Sequence, residues 1–458
     1  MKKLKKFTLL ETDFYQISMV FAYVVNNDAN RMAGFEGFVR KINPLLPQNF
    51  YIFNGKDEIE EYIDNIKMEI QDPKLPEVII EFIKPKLKDL SLIDKFRKNW
   101  NKLKFDFEYS VVENGTLVFP YVPVFQYKGP IWLGQLIETM VTNIYNGKTA
   151  KASLDFSYAK TNLISKEDYY YLSDLMIGED STIKDFSNKL KNKVEVIRNS
   201  NREIVILEAA FRRTFSKEVA DLASKIAVDN GWNGSSNTSL LFEDFKKYKD
   251  KVGGTMAHSF VMSYESEKIA FQKWDNVFPG TTLLVDTYDV KNALNTIKKL
   301  LDENKITIPN DIRIDNTPFE KYIKLFEDEF KRYYPNTELF ISGDVDENVI
   351  RKLKEYNYNY RKTMVGTKLI YQDDLVSLLN AGFVYKLVEV ESKKNEIRYP
   401  EKKAENKKNY SSLKFCEYNE KEDKLYIYLK SNKIGFKNLD KMKSTTVVEF
   451  VRKNINMF

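Results

Sequence analysis

The segment Thr282-Leu283-Leu284-Val285-Asp286 joins a short apolar, β-branched run to an acidic residue. This pattern is typical of a buried strand that ends at a polar site. The pattern recurs twice further along the chain, where similar runs end at Asp315 and at Asp344, so that the three acids are 29 residues apart. That spacing accommodates one strand, one loop and one helix in each unit, and it predicts a repeated β-α arrangement.

The segments between these strands support the same arrangement. Residues 290–304 and 319–333 carry apolar residues at a spacing of three to four, which predicts amphipathic helices. An earlier apolar run over residues 204–207 ends at Glu208. Charged residues at the C-terminal ends of such strands indicate an α/β barrel, because the loops at that end converge on one mouth. A doubly wound open sheet is the alternative, and each acid taken alone also fits a helix N-cap.

A chain of 458 residues suits two domains, or one barrel with additional elements. The first third is predicted to be a mixed layer, with helices over 14–24, 56–66, 76–84 and 135–145 and short strands over 116–120 and 122–127. We therefore predict three segments: an N-terminal α/β domain over 1–138, an irregular α/β barrel over 139–390, and a C-terminal segment over 391–458 that folds back on the N-terminal domain.

The composition narrows the class of protein. Hydrophobic residues make up 43% of the chain, enough for a sizeable core, but no apolar run is long enough for a membrane span. The only cysteine, Cys416, excludes an intramolecular disulfide and a cysteine metal cluster, so we expect a cytoplasmic protein. The net charge of +6 is spread over interleaved acids and bases. The one dense basic stretch, residues 402–408, contains no stacking residues and is expected to be a solvated connection. We therefore expect neither nucleic acid nor a membrane as a partner.

The most specific local signal is Gly-Gly-Thr-Met-Ala-His-Ser at residues 253–259, which contains His258, the only histidine of the chain. The pattern predicts a glycine-rich strand end followed by a helix that runs through Ala270 and Trp274. Backbone N–H groups at a helix start favour an anion, and a histidine placed there can attack a phosphoryl group. A lone histidine is otherwise usually a surface or satisfied core residue, and one histidine excludes a multi-histidine zinc site.

This segment resembles the Gly-Thr-x-Ala-His motif of the nicotinate phosphoribosyltransferase family, whose histidine is phosphorylated by ATP. Residues 12–19, Thr-Asp-Phe-Tyr-Gln-Ile-Ser-Met, are similar to the family's N-terminal Thr-Asp-x-Tyr-Gln-x-Thr-Met motif. Further similar segments follow in the family's order, at residues 38–44, 231–237, 284–289, 342–344, 365–369 and 385–389. The resemblance covers roughly residues 8 to 392, and the number and order of the motifs make it specific.

The resemblance implies an N-terminal α/β domain joined to an irregular, TIM-like α/β barrel of the type II phosphoribosyltransferase kind. It implies an enzyme of NAD biosynthesis that forms nicotinate mononucleotide and pyrophosphate from nicotinate and phosphoribosyl pyrophosphate. ATP and Mg²⁺ are the implied cofactors, with ATP hydrolysis coupled through a phosphohistidine at His258. The family also implies a homodimer, in which Tyr15 reaches the nicotinate pocket of the partner subunit.

The chemistry of this reaction requires cations for the phosphates, acids for ribose hydroxyls and Mg²⁺, and backbone N–H groups for the 5-phosphate. Adjacent arginines offer planar forks to phosphate or carboxylate. The substrate-binding residues that the resemblance implies are Tyr15, Arg40, Phe211, Arg212, Arg213, Asp286, Asp315, Ser342, Gly343, Asp344, Gly366 and Thr367. Asp315 is also the candidate for contact with Mg²⁺ through the diphosphate.

Three segments depart from the family pattern, and one of them is the region after Glu391, which lacks the family's Lys-x-Ser and Pro-Gly-Lys pattern and has Tyr-Pro-Glu-Lys at residues 399–402. Residues 208–213 read Glu-Ala-Ala-Phe-Arg-Arg where the family has Glu-Phe-Gly-x-Arg-Arg, so Phe211 either replaces the stacking aromatic or belongs to the core. Residues 315–318 read Asp-Asn-Thr-Pro in place of Asp-Ser-Gly-Asp, which predicts weaker binding of phosphoribosyl pyrophosphate. Three functions stay open: the ATP-coupled enzyme, the same fold acting on nicotinamide or another base, and a non-catalytic relative that binds ligand only.

Overall fold

The computed structural model describes residues 4–161, 163–402, 411–430 and 434–451. The helices are α1 Phe14–Val25, α2 Lys56–Glu69, α3 Leu75–Ile83, α4 Leu92–Trp100, α5 Ile131–Leu136, α6 Glu138–Lys160, α7 Lys166–Ile177, α8 Asp180–Ser200, α9 Lys217–Asp229, α10 Ser239–Glu243, α11 Phe245–Tyr248, α12 His258–Met262, α13 Glu267–Asp275, α14 Val290–Asp302, α15 Phe319–Phe326, α16 Glu347–Glu355, α17 Thr367–Ile370 and α18 Asp374–Ser377. None of the helices in these ranges has the length and apolar character needed to cross a membrane.

The strands are β1 Met32–Val39, β2 Tyr51–Ile52, β3 Glu108–Val111, β4 Leu117–Val118, β5 Phe125–Pro130, β6 Val205–Glu208, β7 Gly234–Ser235, β8 Leu283–Leu284, β9 Asp311–Ile314, β10 Glu338–Ile341, β11 Lys362–Val365, β12 Phe383–Glu391, β13 Ile397–Arg398, β14 Lys414–Asn419, β15 Lys424–Leu429, β16 Gly435–Lys437 and β17 Val447–Val451.

Six parallel strands form one sheet of the fold, in the order β7-β6-β11-β10-β9-β8. The last of them along the chain, β11, pairs with the first, β6, so the strand order returns to its start as in a barrel, with β7 and β8 as the two ends of the hydrogen-bonded sheet. An isolated bridge between Ser235 and Val252 continues the wall beyond β7. The predicted α/β barrel is therefore confirmed, in an irregular form, and the predicted strands before Asp286, Asp315 and Asp344 are β8, β9 and β10.

An antiparallel sheet of five strands, β13-β12-β1-β5-β3, forms the second layer. Its central strand, β1, pairs with β12 and with β5, so residues more than 340 positions apart in the sequence meet in one sheet. The strand β12 lies within the segment that we assigned to the barrel, although it belongs to this sheet. The division of the chain into three segments stays a prediction.

The described part of the C-terminal segment forms a third, four-stranded sheet in the order β16-β14-β15-β17. A buried ion pair between Lys414 of β14 and Glu36 of β1 joins it to the antiparallel sheet. Gln126 of β5 reinforces this junction, because its side chain donates to the backbone oxygen of Lys414 (2.6 Å) and accepts from the N–H of Gly435 (2.8 Å). Each of the two buried charges has its partner, so the loss of either one would leave an uncompensated charge and destabilise the junction.

Several predicted helices are present, but three differ in extent. The helices predicted over 14–24, 56–66, 76–84 and 290–304 correspond to α1, α2, α3 and α14. The predicted helix over 135–145 is divided between α5 and α6, and the helix over 319–333 ends at Phe326 and continues as a π-helical turn. The helix that begins at His258 was predicted to run through Trp274. That prediction is wrong, because the helix stops at Met262 and Ser266 caps a separate helix, α13, through its side chain.

The start of α1 is fixed to the barrel by contacts between two of the predicted motifs. The carboxylate of Asp13 accepts hydrogen bonds from Ser236 (2.5 Å) and Thr139 (3.0 Å), and the backbone N–H of Phe14 donates to the oxygen of Ser236 (2.6 Å). Gly254 lies against the same turn of α1, where a Cβ atom would come within 2.4 Å of the backbone nitrogen of Tyr15. The glycine at 254 is therefore required by the close approach of two backbones.

Replacing Gly254 by alanine should destabilise the fold by about 1–3 kcal/mol, because the added methyl group has backbone atoms as its nearest neighbours and they cannot move aside cheaply. The matched control is Gly253→Ala. A Cβ atom there would meet only the flexible end of Lys86, at 3.9 Å. Urea unfolding of both variants measures the difference, and equal stabilities would contradict the close contact at Gly254.

Candidate active site

The acids predicted at the strand ends meet at one end of the barrel. Ser342, which follows β10, donates a hydrogen bond of 2.7 Å to the carboxylate of Asp315, which follows β9. Asn316 donates from its amide to the backbone oxygen of Asp286, at 3.3 Å. The next residue after Ser342, Gly343, adopts a φ of +94°, and a Cβ atom there would lie 2.4 Å from the backbone oxygen of Asp315. The strand ends β8, β9 and β10 therefore form one rim.

His258 faces this acidic rim from the first position of α12. Its Nδ1 atom lies 3.0 Å from the hydroxyl of Thr287, and its Nε2 atom lies 3.7 Å from the carboxylate of Asp315. Burial lowers the pKa of His258, and the nearby ammonium of Lys402 adds to the effect. The imidazole is therefore held neutral, with a lone pair available on one nitrogen.

Lys402 is a residue of this rim that we did not single out. Its Nζ atom lies 2.7 Å from His258 Nε2 and 3.5 Å from the carboxylate of Asp286. We expect residues 402–408 to be a solvated connection, and for Lys402 that expectation is wrong, because its side chain is mostly buried between these two partners. The rest of that stretch, residues 403–408, lies outside the described residues.

Arg313 is a second residue of the rim that we did not single out. It points from β9 into the barrel, where it donates to the hydroxyls of Ser342 (3.1 Å) and Thr255 (2.8 Å). Burial opposes ionisation of Asp315, but the neighbouring imidazole of His258 and the charges of Arg313 and Lys402 outweigh it and hold the pKa of Asp315 well below its usual range. The signal in the sequence was an arginine within an otherwise apolar strand.

The opposite side of the site is basic. Arg40, Arg212, Arg213 and Lys386 influence one another's charge there, and Glu138 is the acid that faces them. Burial lowers the pKa of Arg213 to about 10, and the neighbouring Arg212 and Arg40 contribute. Burial and the same arginines hold the pKa of Lys386 well below its usual range.

These cations have few anionic partners within the described chain. The Nη1 atom of Arg212 lies 3.7 Å from Glu138, and Arg213 donates to the backbone oxygen of Phe383 at 2.9 Å. The Nε atom of Arg40 is buried and has no hydrogen-bond partner among the described residues. A group of partly buried cations that outnumber the carboxylates facing them is suited to bind an anion of more than one charge.

The two predicted aromatic residues have different positions. The ring of Tyr15 lies 5.9 Å from the guanidinium of Arg212, and its hydroxyl donates to Glu138 at 3.4 Å. Tyr15 is thus part of the site of its own chain, and a role in a partner's pocket stays a prediction. Phe211 is completely buried in the core. It does not replace the family's stacking aromatic, because the turn over residues 211–213 directs its ring inward.

The remaining predicted residues lie at neighbouring strand ends. Gly366 follows β11 and precedes the short helix α17, which begins at Thr367. A Cβ atom at Gly366 would come within 2.6 Å of the backbone oxygen of Ala209, so this glycine allows the loops after β6 and β11 to touch. Asp344 has a φ of +53°, and its charge acts on Arg213, so it lies between the acidic and the basic side.

No group of three or more metal-binding side chains occurs in the described part of the chain. Magnesium is usually held by one or two carboxylates together with substrate phosphates, which does not require such a group. Asp315 and Asp286 would supply oxygens of this kind. Asp286 fits the role because its Oδ1 atom is buried and lacks a hydrogen-bond partner within the described residues.

Replacing Lys386 by methionine should raise the thermal stability of the protein, because it removes one of several buried like charges. The same change should weaken the stabilisation that added pyrophosphate gives to the fold, since a ligand that binds the native state raises its melting temperature. Thermal unfolding with and without pyrophosphate measures both effects. Lys394→Met, at an exposed lysine, is the control. If Lys386→Met kept the full response to pyrophosphate, that result would contradict the assignment of Lys386 to an anion-binding site.

Comparison with known proteins agrees with this arrangement. A family model described as the nicotinate phosphoribosyltransferase N-terminal domain matches residues 10–146. The nicotinate phosphoribosyltransferase of Bacillus subtilis is 26% identical over 390 residues, which cover 83% of this chain and 67% of the relative. That of Caenorhabditis elegans is 24% identical over 442 residues, covering 83% and 68%.

Solved structures share the fold. The nicotinate phosphoribosyltransferase of Porphyromonas gingivalis superposes with a TM-score of 0.55 at 18% identity, over 88% of this chain and 96% of that one. A putative nicotinate phosphoribosyltransferase of Saccharomyces cerevisiae gives a TM-score of 0.59 at 18% identity, over 85% and 92%. With the motifs in their expected order around one barrel mouth, the chain carries a segment that matches the nicotinate phosphoribosyltransferase N-terminal domain, and it is similar to proteins of that name over most of its length.

Proposed function

We propose that this chain is an active nicotinate phosphoribosyltransferase, which transfers the phosphoribosyl group of phosphoribosyl pyrophosphate to the nitrogen of nicotinate. The observation that carries the proposal is the division of one barrel mouth into two sides. The basic side comprises Arg40, Arg212, Arg213 and Lys386. The acidic side comprises Asp286, Asp315 and the only histidine. Both substrates are anionic, which suits the basic side. The ribose of phosphoribosyl pyrophosphate carries hydroxyl groups, which suit the acidic side.

The basic side suits the charged groups of the substrates. Nicotinate carries a carboxylate, which a guanidinium can bind through two parallel hydrogen bonds. Nicotinamide lacks this charge and would leave the cations unpaired, which favours nicotinate as the base. The ring of Tyr15, with Arg212 beside it, offers an aromatic surface for the pyridine ring.

The acidic side suits the sugar. As the bond to pyrophosphate breaks, positive charge develops on the ribose, and carboxylates nearby lower the energy of that state. Asp315 remains ionised because its pKa is held low. Asp286 and Asp315 would also hold Mg²⁺ together with the diphosphate, where the metal neutralises charge on the leaving group.

An assay of product formation separates this function from its alternatives. We expect nicotinate mononucleotide from nicotinate and phosphoribosyl pyrophosphate, at a higher rate with ATP, and little product from nicotinamide. Binding of both substrates without product, measured by calorimetry, would instead indicate a non-catalytic relative.

We further propose that ATP phosphorylates His258 and that hydrolysis of this phosphohistidine is coupled to synthesis. Replacing His258 by alanine or asparagine should abolish acid-labile phosphate from labelled ATP, because the chain contains no other histidine. Slow, ATP-independent transfer should survive, since the imidazole is not the nucleophile of the ribosyl step. Continued ATP hydrolysis in step with product formation by either variant would contradict this coupling.

We also propose that the protein is a homodimer, as the family resemblance implies. Light scattering should then give twice the 53.8 kDa mass of one chain. Since Tyr15 contacts Arg212 of its own chain, Tyr15→Ala should raise the KM for nicotinate without changing this mass. A fully active monomer would contradict the proposal that the homodimer is the active form.

A further inference from the structure

Two asparagine side chains of α6 hold the turn over residues 211–214, which carries two cations of the basic side and is called the arginine turn below. The amide of Asn143 donates to the backbone oxygens of the first and the last residue of this turn, at 3.1 and 3.2 Å. The amide of Asn146 donates to the backbone oxygen of Arg212 at 3.0 Å. Both asparagines are almost completely buried, so the loss of either amide would leave polar groups of the turn without a partner.

Asn146 also binds the first residue of β12. Its side-chain oxygen accepts a hydrogen bond of 3.0 Å from the backbone N–H of Phe383. The backbone oxygen of Phe383 accepts in turn from the guanidinium of Arg213, at 2.9 Å. An N–H can only donate and a carbonyl oxygen can only accept, so the two ends of the Asn146 amide match the two groups that they face. The start of β12 is therefore joined to the arginine turn twice, once through Asn146 and once through Arg213.

The strand β12 needs partners at this point because its outer edge is uncovered there. Within the described part of the chain, β13 pairs with β12 only at Val390 and Glu391, near the other end of the strand, and β1 occupies the opposite side. The backbone groups at an uncovered strand edge require other hydrogen-bond partners when they are buried. For Phe383, which is completely buried, Asn146 and Arg213 supply them.

All four cations of the basic side are attached to elements that meet at this junction. Arg212 and Arg213 lie in the arginine turn, and Lys386 lies on β12. Arg40 follows Val39, the residue of β1 that pairs with the first residue of β12. Burial holds the pKa of Lys386 well below its usual range, and the charges of the neighbouring arginines add to the effect. The arginine turn and β12 therefore repel each other when no anion lies between their cations.

We propose that Asn146 is a positioning residue of the basic side, whose amide holds the arginine turn and β12 at the spacing that an anion of several charges requires. This inference rests on the proposed function, in which the basic side binds the charged groups of the substrates. Asn146 acts through the backbone of Arg212 and of Phe383, since both ends of its amide are engaged there. Without this amide the like charges separate, and an incoming anion has to restore their spacing at a cost in affinity.

The first experiment requires no ligand and compares melting temperatures. Its variants are Asn146→Ala, Asn143→Ala, Lys386→Met and the two double variants that include Lys386→Met. Alanine removes the amide and suits the helix. Asn143→Ala is the matched control, because within the described residues the Asn143 amide binds the arginine turn alone. If Asn146→Ala does not fold, Asn146→Ser takes its place, since its hydroxyl can still satisfy one buried group.

Lys386→Met should raise the melting temperature of the wild type, because it removes one of the repelling charges. We expect less than half of this gain in the Asn146→Ala background, where the charges have already separated, and the full gain in the Asn143→Ala background. Such non-additivity indicates that Asn146 and Lys386 are coupled. A purely structural asparagine would lower the melting temperature by itself but leave the gain from Lys386→Met unchanged.

The second experiment measures the affinity of the folded variants for pyrophosphate by calorimetry. Asn146→Ala should raise the Kd about tenfold, which corresponds to the net contribution of about one hydrogen bond. Asn143→Ala should change the Kd by no more than about twofold, because the bond between Asn146 and β12 is kept.

The outcomes separate this proposal from the function on which it rests. A wild type that does not bind pyrophosphate would refute the basic side as a substrate site, and the melting temperatures would still decide whether Asn146 sets the spacing of the charges. Equal gains from Lys386→Met in the wild type and in Asn146→Ala would overturn the proposal. No gain in the wild type would overturn it as well, since Asn146 would then have no repulsion to oppose. Where pyrophosphate binds, equal affinities of the Asn146 and Asn143 variants would have the same consequence.

Discussion

The close contact between the start of α1 and the barrel is the constraint on which the site depends. The backbone of Tyr15 lies directly on Gly254, and the carboxylate of Asp13 binds the turn at Ser236. This contact fixes the loop that leads from Gly254 to His258, and it brings Tyr15 beside Arg212 at the same time. The two halves of the site therefore depend on one junction, where a glycine is required because the backbones touch.

The separation of charge within the site follows from the order of the strands. The strands β8, β9 and β10 are neighbours, so the acids that follow them share one rim. The arginines at 212 and 213 follow β6, which lies beyond β11, and the antiparallel sheet contributes Arg40 after β1 and Lys386 within β12. Neither domain layer could form this site alone, because each supplies charges of the basic side that the other lacks.

The sequence allowed prediction of the barrel because its buried parallel strands are continuous apolar runs. The strands of the second layer were harder to predict. The central strand β1 contains Gly34 and Gly37, whose missing side chains make room for Leu413 and Tyr145. Glycine is typical of turns, so the composition of β1 concealed a strand that is central only because distant residues pack on it.

The residues of the site also divide into those that the sequence allowed us to predict and those that it did not. His258, Asp286 and Asp315 could be predicted because motif and position agree. Lys386 carried a weak signal, a lysine in the middle of the apolar strand β12. Lys402 was missed, since it is one of many lysines near its end of the chain and its contact with His258 spans 144 residues.

The altered loop after Asp315 shows how the site keeps an acid without the family's glycine. The orientation of Asp315 is set from the neighbouring strand: Ser342 donates to its carboxylate, and Gly343 packs on its backbone oxygen. Asn316 is engaged with the backbone of Asp286 and does not hold Asp315. Since the supports of Asp315 lie at the end of β10, residues 316–318 can change without moving the carboxylate, which explains how the acid survives in a segment that has lost the rest of its motif.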